Sequence, residues 1–256
     1  MQKPLILVSN DDGFRSEGIQ ALAESMKSLG DIVIIAPDNE QSAASHALTL
    51  HRPLRLYQHD KNIFSVDGTP TDCVTLAIHE ILPKQFKKRK PDFIVSGINR
   101  GANLGDDVHY SGTVSVAVEG AMNKIPSVAF SLVSWGQDKP HFSTAAHFAK
   151  KIMTKVMKEG LPQGITLNVN IPNYPLKQIK GIAVGKLGKR NYGEVIFEKK
   201  DPRNRTYFWI GGDDRTFNDI PDSDGNLIQK QKVSITPLQI DMTHYRHLEE
   251  MRTWTF

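Results

Sequence analysis

Cysteine is almost absent from the 256-residue chain: Cys73 stands alone, which excludes an intramolecular disulfide and any cysteine-built zinc cluster. Long hydrophobic runs are absent too. No apolar stretch approaches the ~20 residues of a membrane-spanning helix. Met1-Gln2-Lys3-Pro4 leads at once into a short strand-like run, not a signal-peptide core, so a cytoplasmic location is expected. Charge of one sign is lacking, with 32 Lys and Arg against 28 Asp and Glu, a formal net of +4. Gly at 19 and Pro at 14 residues are too few for a collagen-like or low-complexity chain. Three nucleotide-chemistry signatures are missing as well. The glycine-rich loop reads Gly97-x-x-x-Gly101-x-x-x-Gly105, not G-x-G-x-x-G, and there is no G-x-x-x-x-G-K-[ST], which disfavours a dehydrogenase and a P-loop NTPase. The first strand ends in adjacent acids and not in the D-x-D of a haloacid-dehalogenase-type phosphatase. None of the nine histidines falls in an H-E-x-x-H pattern.

What remains is a chain with 39% hydrophobic and 23% charged residues, able to bury a sizeable core. Leu5–Val8 is a continuous apolar run, then Ile19, Leu22, Ala23, Met26 and Leu29 recur at helical spacing before Gly30, placed as a C-cap. Ile32–Ala36 is a second buried strand, which makes a βαβ unit and implies a parallel sheet. Strands are expected at 54–57, 63–66, 92–96 and 127–130. Helices are expected after Gly68, over 113–123 and over 145–157, with a long loop from Gly97 to Gly112. The alternation indicates an α/β, Rossmann-like, doubly wound and mostly parallel sheet. From about Ile179 strands at 194–198, 206–210 and 233–236 are joined by polar loops, and no strong helix comes before His244–Arg252. One domain over 1–256 is expected: a catalytic core over 1–172, and over 173–256 a β-rich oligomerisation extension with a C-terminal helix.

In such a sheet ligands bind at the carboxyl ends of the strands. There the chain delivers Asn10-Asp11-Asp12, then Asp38, Gln41, Ser42 and Ser45, then Asn99 and Arg100, and finally Ser111-Gly112-Thr113 at a helix start. Taken singly, Asp-Asp-Gly after a strand is ordinarily a turn, Ser42 a surface serine, Asn99 a turn residue and Ser111 an N-cap. Taken together they place hard oxygen donors along one edge, a set that suits Mg²⁺ or Mn²⁺. The basic run Lys84–Lys90 is read as a solvated helix end and not as a nucleic-acid patch, because no aromatic-rich motif accompanies it. Eight basic residues between Lys180 and Arg205, followed by Asp213, Asp214, Asp219, Asp222 and Asp224, suggest the two sides of an exposed arm or a steering surface. Trp135 and Trp209 are read as packing residues.

Five ordered segments carry a resemblance: Val8-Ser9-Asn10-Asp11-Asp12-Gly13; Ala36-Pro37-Asp38 with Gln41-Ser42; Gly68-Thr69-Pro70-Thr71-Asp72-Cys73-Val74; Val95-Ser96-Gly97-Ile98-Asn99-Arg100-Gly101; and Tyr110-Ser111-Gly112-Thr113-Val114. In order and spacing they resemble the SurE (survival protein E) nucleotidases, and Val233-Ser234-Ile235-Thr236-Pro237 looks like that family's C-terminal signature. The resemblance implies a 5′-nucleotidase with one divalent cation per subunit, Mg²⁺ or Mn²⁺, held by Asp11, Asp12, Ser42 and Asn99. It implies hydrolysis of nucleoside 5′-monophosphates, with 3′-nucleotides and short polyphosphate as further substrates. It also implies a homodimer or homotetramer in which the C-terminal hairpin is exchanged. Within that frame Asp11, Asp12 and Asn99 are the catalytic candidates, and metal-activated water is the expected nucleophile. Asn10, Ser111, Gly112 and Thr113 are the candidates for holding phosphate. The general acid is unassigned, with His109 the residue considered. Two other classes stay open from the residues themselves: a nucleotide sensor without turnover, and a nucleic-acid binder using residues 84–90.

Overall fold

The computed structural model describes residues 3–86, 89–134, 139–190, 196–211 and 217–255. Among them the chain runs β1 (Leu5–Ser9), α1 (Glu17–Met26), β2 (Asp31–Pro37), β3 (Leu56–Asp60), β4 (Ile63–Val66), α2 (Pro70–Leu76), a π-turn (Ala77–Ile81), α3 (Leu82–Gln85), β5 (Phe93–Arg100), a 3₁₀ turn (Gly105–His109), α4 (Gly112–Met122), β6 (Ser127–Val133), α5 (Phe142–Glu159), β7 (Ile165–Pro172), β8 (Ile182–Val184), β9 (Ile196–Lys200), β10 (Thr206–Ile210), α6 (Asp224–Gln229), β11 (Val233–Gln239) and α7 (Tyr245–Met251).

The apolar runs explain the layers. Alternate side chains of a strand face opposite sides, so Ile6, Val8, Ile34 and Ala36 enter one core cluster while Leu5, Leu7, Val33 and Ile35 enter another. Both faces therefore need helices. The first is covered by α1 and α5 through Ile19, Leu22, Met26, Phe148 and Ile152. The second is covered by α2 and α4 through Val74 and Val116. The main sheet has the order β3-β4-β2-β1-β5-β6-β7-β11-β8. Strands β4 through β7 in that order are parallel, and β3 and β11 run antiparallel to their neighbours β4 and β7. The order reverses between β1 and β5, which makes that crevice the topological switch point.

The α/β reading of the sequence is what the molecule shows, with local differences. Helix α1 stops at Met26, not Leu29, and the N–H groups of Leu29 and Gly30 both turn back onto the Met26 carbonyl. Gly30 serves a close approach instead of a C-cap: a Cβ there would lie 2.4 Å from the Pro4 carbonyl oxygen. The expected loop 97–112 contains the last residues of β5 and the 3₁₀ turn. In the 173–240 stretch, β8 and β11 join the main sheet, and only β9–β10 stands apart as a two-stranded hairpin, all ten strand residues exposed. Trp209 is exposed on that hairpin, so it is no packing residue within one chain. Trp135, Asp213, Asp214, Lys87 and Lys88 lie outside the described residues. Lys84 pairs with Glu80, and Arg89 with Asp92 at 3.0 Å, as a solvated helix end should. Among the described residues no helix is long and apolar enough to cross a membrane.

Candidate active site

Four segments meet at the switch point. The first is the turn after β1. Asn10 is fully buried, and its Nδ2 donates to the Gly13 carbonyl at 3.1 Å and to Ser16 Oγ at 2.8 Å. Ser16 in turn caps α1 by accepting from Ile19 N. Both Asn10 amide hydrogens are directed into the turn, where Asn10 shapes the presentation of the two acids. Gly13, at φ +93°, lets the chain reverse there.

The second segment is the N-terminus of α4. Ser111 is its N-cap, its Oγ accepting from Val114 N at 3.0 Å, which leaves the hydroxyl hydrogen available to a ligand. Thr113, also buried, donates its hydroxyl to Asp11 Oδ1. In this structure its hydroxyl holds the Asp11 carboxylate. Gly112 is what lets the helix come this close, since a Cβ would sit 2.7 Å from Asp11 Cβ and 2.9 Å from its Oδ2.

The third and fourth segments close the edge. Gln41 N donates to the Asp11 carbonyl at 2.8 Å and Ser45 N to the Tyr110 carbonyl at 3.1 Å, so the loop carrying Ser42 is tied to both acid turn and helix start. Ser42 itself is exposed, with Oγ on Glu40 Oε1 at 2.5 Å. At the end of β5, Arg100 N donates to Asp12 Oδ2 at 3.4 Å. Asn99 Nδ2 donates to the Gly101 carbonyl at 3.2 Å, leaving Oδ1 as its free donor of lone pairs.

The electrostatics of the pair are unfavourable without a cation. Burial raises the Asp11 carboxyl, against the Thr113 hydroxyl and the amides of Gly112 and Thr113. Asp12 is pushed up to about 6, first by burial and then by the charge of Asp11, with the Glu40 charge adding to the rise, against the Arg100 amide and guanidinium. Among the described residues no cluster of three or more His, Cys, Asp and Glu could hold a metal. Asp11 and Asp12 together with the neutral oxygens of Ser42 and Asn99 are hard oxygen donors, a set that suits a hard divalent cation. The residues fit such an ion.

A cavity of about 730 Å³ flanks α4, lined by Val114, Ser115 and Val118 from the helix together with His46, His109 and Leu187. None of Asp11, Asp12, Ser42 or Asn99 lines it. At its rim His46 Nε2 lies 2.9 Å from Glu119 Oε2.

The model of the family described as survival protein SurE matches residues 6–194. The chain belongs to the SurE family. A protein named 5′-nucleotidase SurE from Geotalea uraniireducens (strain Rf4) is 50% identical over 249 residues, 97% of this chain and 98% of that one. Another so named, from Geobacter sulfurreducens (strain ATCC 51573 / DSM 12127 / PCA), is 46% identical over 97% of this chain and 93% of its own. The crystal structure of the SurE protein from Aquifex aeolicus matches with a TM-score of 0.86 at 42% identity, covering 97% of this chain and 98% of that one. The SurE match spans all four segments of the switch-point edge. Asp224 is the residue of consequence that the sequence reading missed: it lies in what looked like an acidic loop, and it is fully buried.

Proposed function

We propose that the chain is a divalent-metal-dependent 5′-nucleotidase that hydrolyses nucleoside 5′-monophosphates to nucleoside and phosphate. One observation carries the reading: the buried carboxylate of Asp11 and the half-buried one of Asp12 stand side by side at the switch point, beside the N-terminus of an eleven-residue helix. Half identity to proteins named 5′-nucleotidase over nearly the whole chain supports it. Asp11, Asp12, Ser42 and Asn99 would hold the cation. When bound, Mg²⁺ or Mn²⁺ screens phosphoryl charge and lowers the pKa of a water.

The chain's own groups do the rest. Asp11 is fixed by Thr113, and Asp12 by the Arg100 amide. Ser111 Oγ–H donates to a phosphate oxygen, and the positive end of the α4 dipole favours the anion. Asn10 and Gly112 act by placing these groups. The cavity beside His109 offers room for the nucleoside, and the same phosphoryl edge accommodates 3′-nucleotides and short polyphosphate. Residues 1–256 work as one unit, and the single buried Cys73 suits a reducing cytoplasm.

Phosphate release from 5′- and 3′-nucleotides, polyphosphate and a non-nucleotide phenyl ester tests the substrate class. Fastest release from a 5′-monophosphate is expected. Equal rates on the phenyl ester would remove the nucleotide from the reading.

The unit is an oligomer. Ile196, Phe197, Phe208, Trp209 and Ile210 are all more than half exposed on a hairpin that no helix among the described residues covers, and isolated hairpins are marginal in water. Light scattering at micromolar concentration should give a dimer or tetramer, and deletion of 196–210 a smaller or aggregated species. A monodisperse monomer of the intact chain would contradict this role of the hairpin.

A further inference from the structure

Ser111 is delivered by the segment 103–110, and that segment is fastened at both ends. At its start Asn103 sits in a buried amide cluster: its N donates to Asn170 Oδ1 at 3.0 Å, its Nδ2 to Ser131 Oγ at 2.8 Å, and its carbonyl accepts from Asn168 and Asn170. Two residues on, Gly105 N donates to Asp224 Oδ2 at 2.8 Å. The other oxygen of Asp224 accepts from Gly188 N and Gly225 N, each at 2.8 Å. The carboxylate is wholly buried, and among the described residues no basic side chain pairs with it. Three backbone amides hold it instead.

The contact is close. Gly105 is at φ +54°, and a Cβ on it would lie 3.0 Å from the Gly188 carbonyl oxygen. A Cβ on Gly188 would lie 3.0 Å from Asp224 Oδ1. Just beyond, Lys189 pairs with Asp106 at 2.9 Å and Arg190 pairs with Asp107. Arg190 also bridges Phe217 across the base of the arm that carries β9 and β10. The turn that ends at Ser111 is therefore clamped against the neck of the arm, with Asp224 at the centre of the clamp.

We infer that Asp224 is a positioning residue for phosphate capture: by holding the Gly105–His109 turn against the arm's neck, it sets the place of Ser111. The inference rests on the proposed role of Ser111. The Asp224 carboxylate is bonded to the amides of Gly105, Gly188 and Gly225 and to none of the groups proposed to hold cation or phosphate, so it acts through the segment that it holds. A displacement of about 1 Å at a capture group can cost on the order of 10²-fold. In Asp224→Asn the shape is kept, but an NH₂ replaces an oxygen and faces a backbone N–H, so one amide loses its acceptor.

The test is a double-mutant cycle between Asp224→Asn and Ser111→Ala, read by kcat/KM for a nucleoside 5′-monophosphate and by inhibition with inorganic phosphate. Asp224→Asn alone should lower kcat/KM by about 10- to 100-fold, mainly through KM, and weaken phosphate inhibition in step. Mn²⁺ affinity by titration calorimetry should stay within about twofold. In the Ser111→Ala background the same change should lose most of its effect, because the group it positions is gone. Additive effects, a parental kcat/KM in Asp224→Asn, or a loss of Mn²⁺ affinity in proportion to activity would each overturn the inference. If Asp224→Asn does not fold, Arg190→Gln, which loosens the clamp from the arm side, is taken through the same cycle with the same expectations. Failure of the underlying reading looks different: Ser111→Ala alone would then leave turnover and phosphate inhibition untouched, and both inferences would fall.

Discussion

Replacing Asp12 with asparagine is expected to lower nucleotide hydrolysis by more than about 100-fold while leaving the metal-free protein at least as stable as the parent. Changes to groups that merely support metal ligands cost 10- to 100-fold, and Asp12 supplies one of the two carboxylates proposed to hold the cation. The stability half follows from its pKa. Folding raises that pKa to about 6, so the folded chain holds the proton more tightly than the unfolded chain does. Stability of the metal-free protein then falls as pH rises from about 4 to 6, and above 6 the ionised Asp12 beside Asp11 is a full liability. Asparagine removes it. Turnover at saturating Mn²⁺ and thermal unfolding in EDTA at pH 7.5 check the two halves. Activity within tenfold of the parent would remove Asp12 from the cation site. A lower melting temperature would mean that the residue holds up the fold instead.

Ser111→Ala should separate an anion site from an ordinary cap. The Ser111 oxygen satisfies Val114 N, and its hydrogen points to no partner among the described residues. A hydroxyl donating to a charged phosphate oxygen is worth roughly 1.5–3 kcal/mol, about 10- to 150-fold if it acts in the transition state. The expected result is a fall of that size in kcat/KM, weaker inhibition by inorganic phosphate and unchanged Mn²⁺ affinity. Loss of the cap itself costs about 1 kcal/mol of stability, so a Tm shift with unaltered kinetics would reduce Ser111 to a helix start.

The positions of these residues were legible in the sequence because a parallel sheet has only one edge for ligands. Short apolar runs ending in polar residues mark that edge, so the sequence itself places Asp11, Asp12, Asn99 and Ser111 on it. Their individual jobs were less legible. Asn10 and Thr113 have the right groups for phosphate, but their hydrogens go to the turn and to Asp11. Hydrogen-bond direction leaves no trace in residue type. The end of β5 was hidden for another reason. Gly97 and Gly101 bracket Ile98-Asn99-Arg100 and read as turn punctuation, whereas the chain stays extended, with a register shift between Ser96 and Asn99. The placement of β11 between β7 and β8 depends on pairing across more than fifty residues, which periodicity does not encode. Asp224 was hidden by its company. Five aspartates within twelve residues look solvated, and burial of one by three backbone amides needs no unusual neighbour in sequence.

Chelation and restoration test the central claim most directly: phosphate release from a nucleoside 5′-monophosphate is followed in the purified chain, after EDTA, and after EDTA is replaced by Mg²⁺ or Mn²⁺. Release is expected to stop with the chelator and to return with either ion in the parent protein, with saturation near one ion per chain, and to stay absent in Asp12→Asn. Hydrolysis that continues unchanged in EDTA, or that returns equally in Asp12→Asn, would contradict an oxygen-ligated cation at Asp11 and Asp12 as the centre of the chemistry.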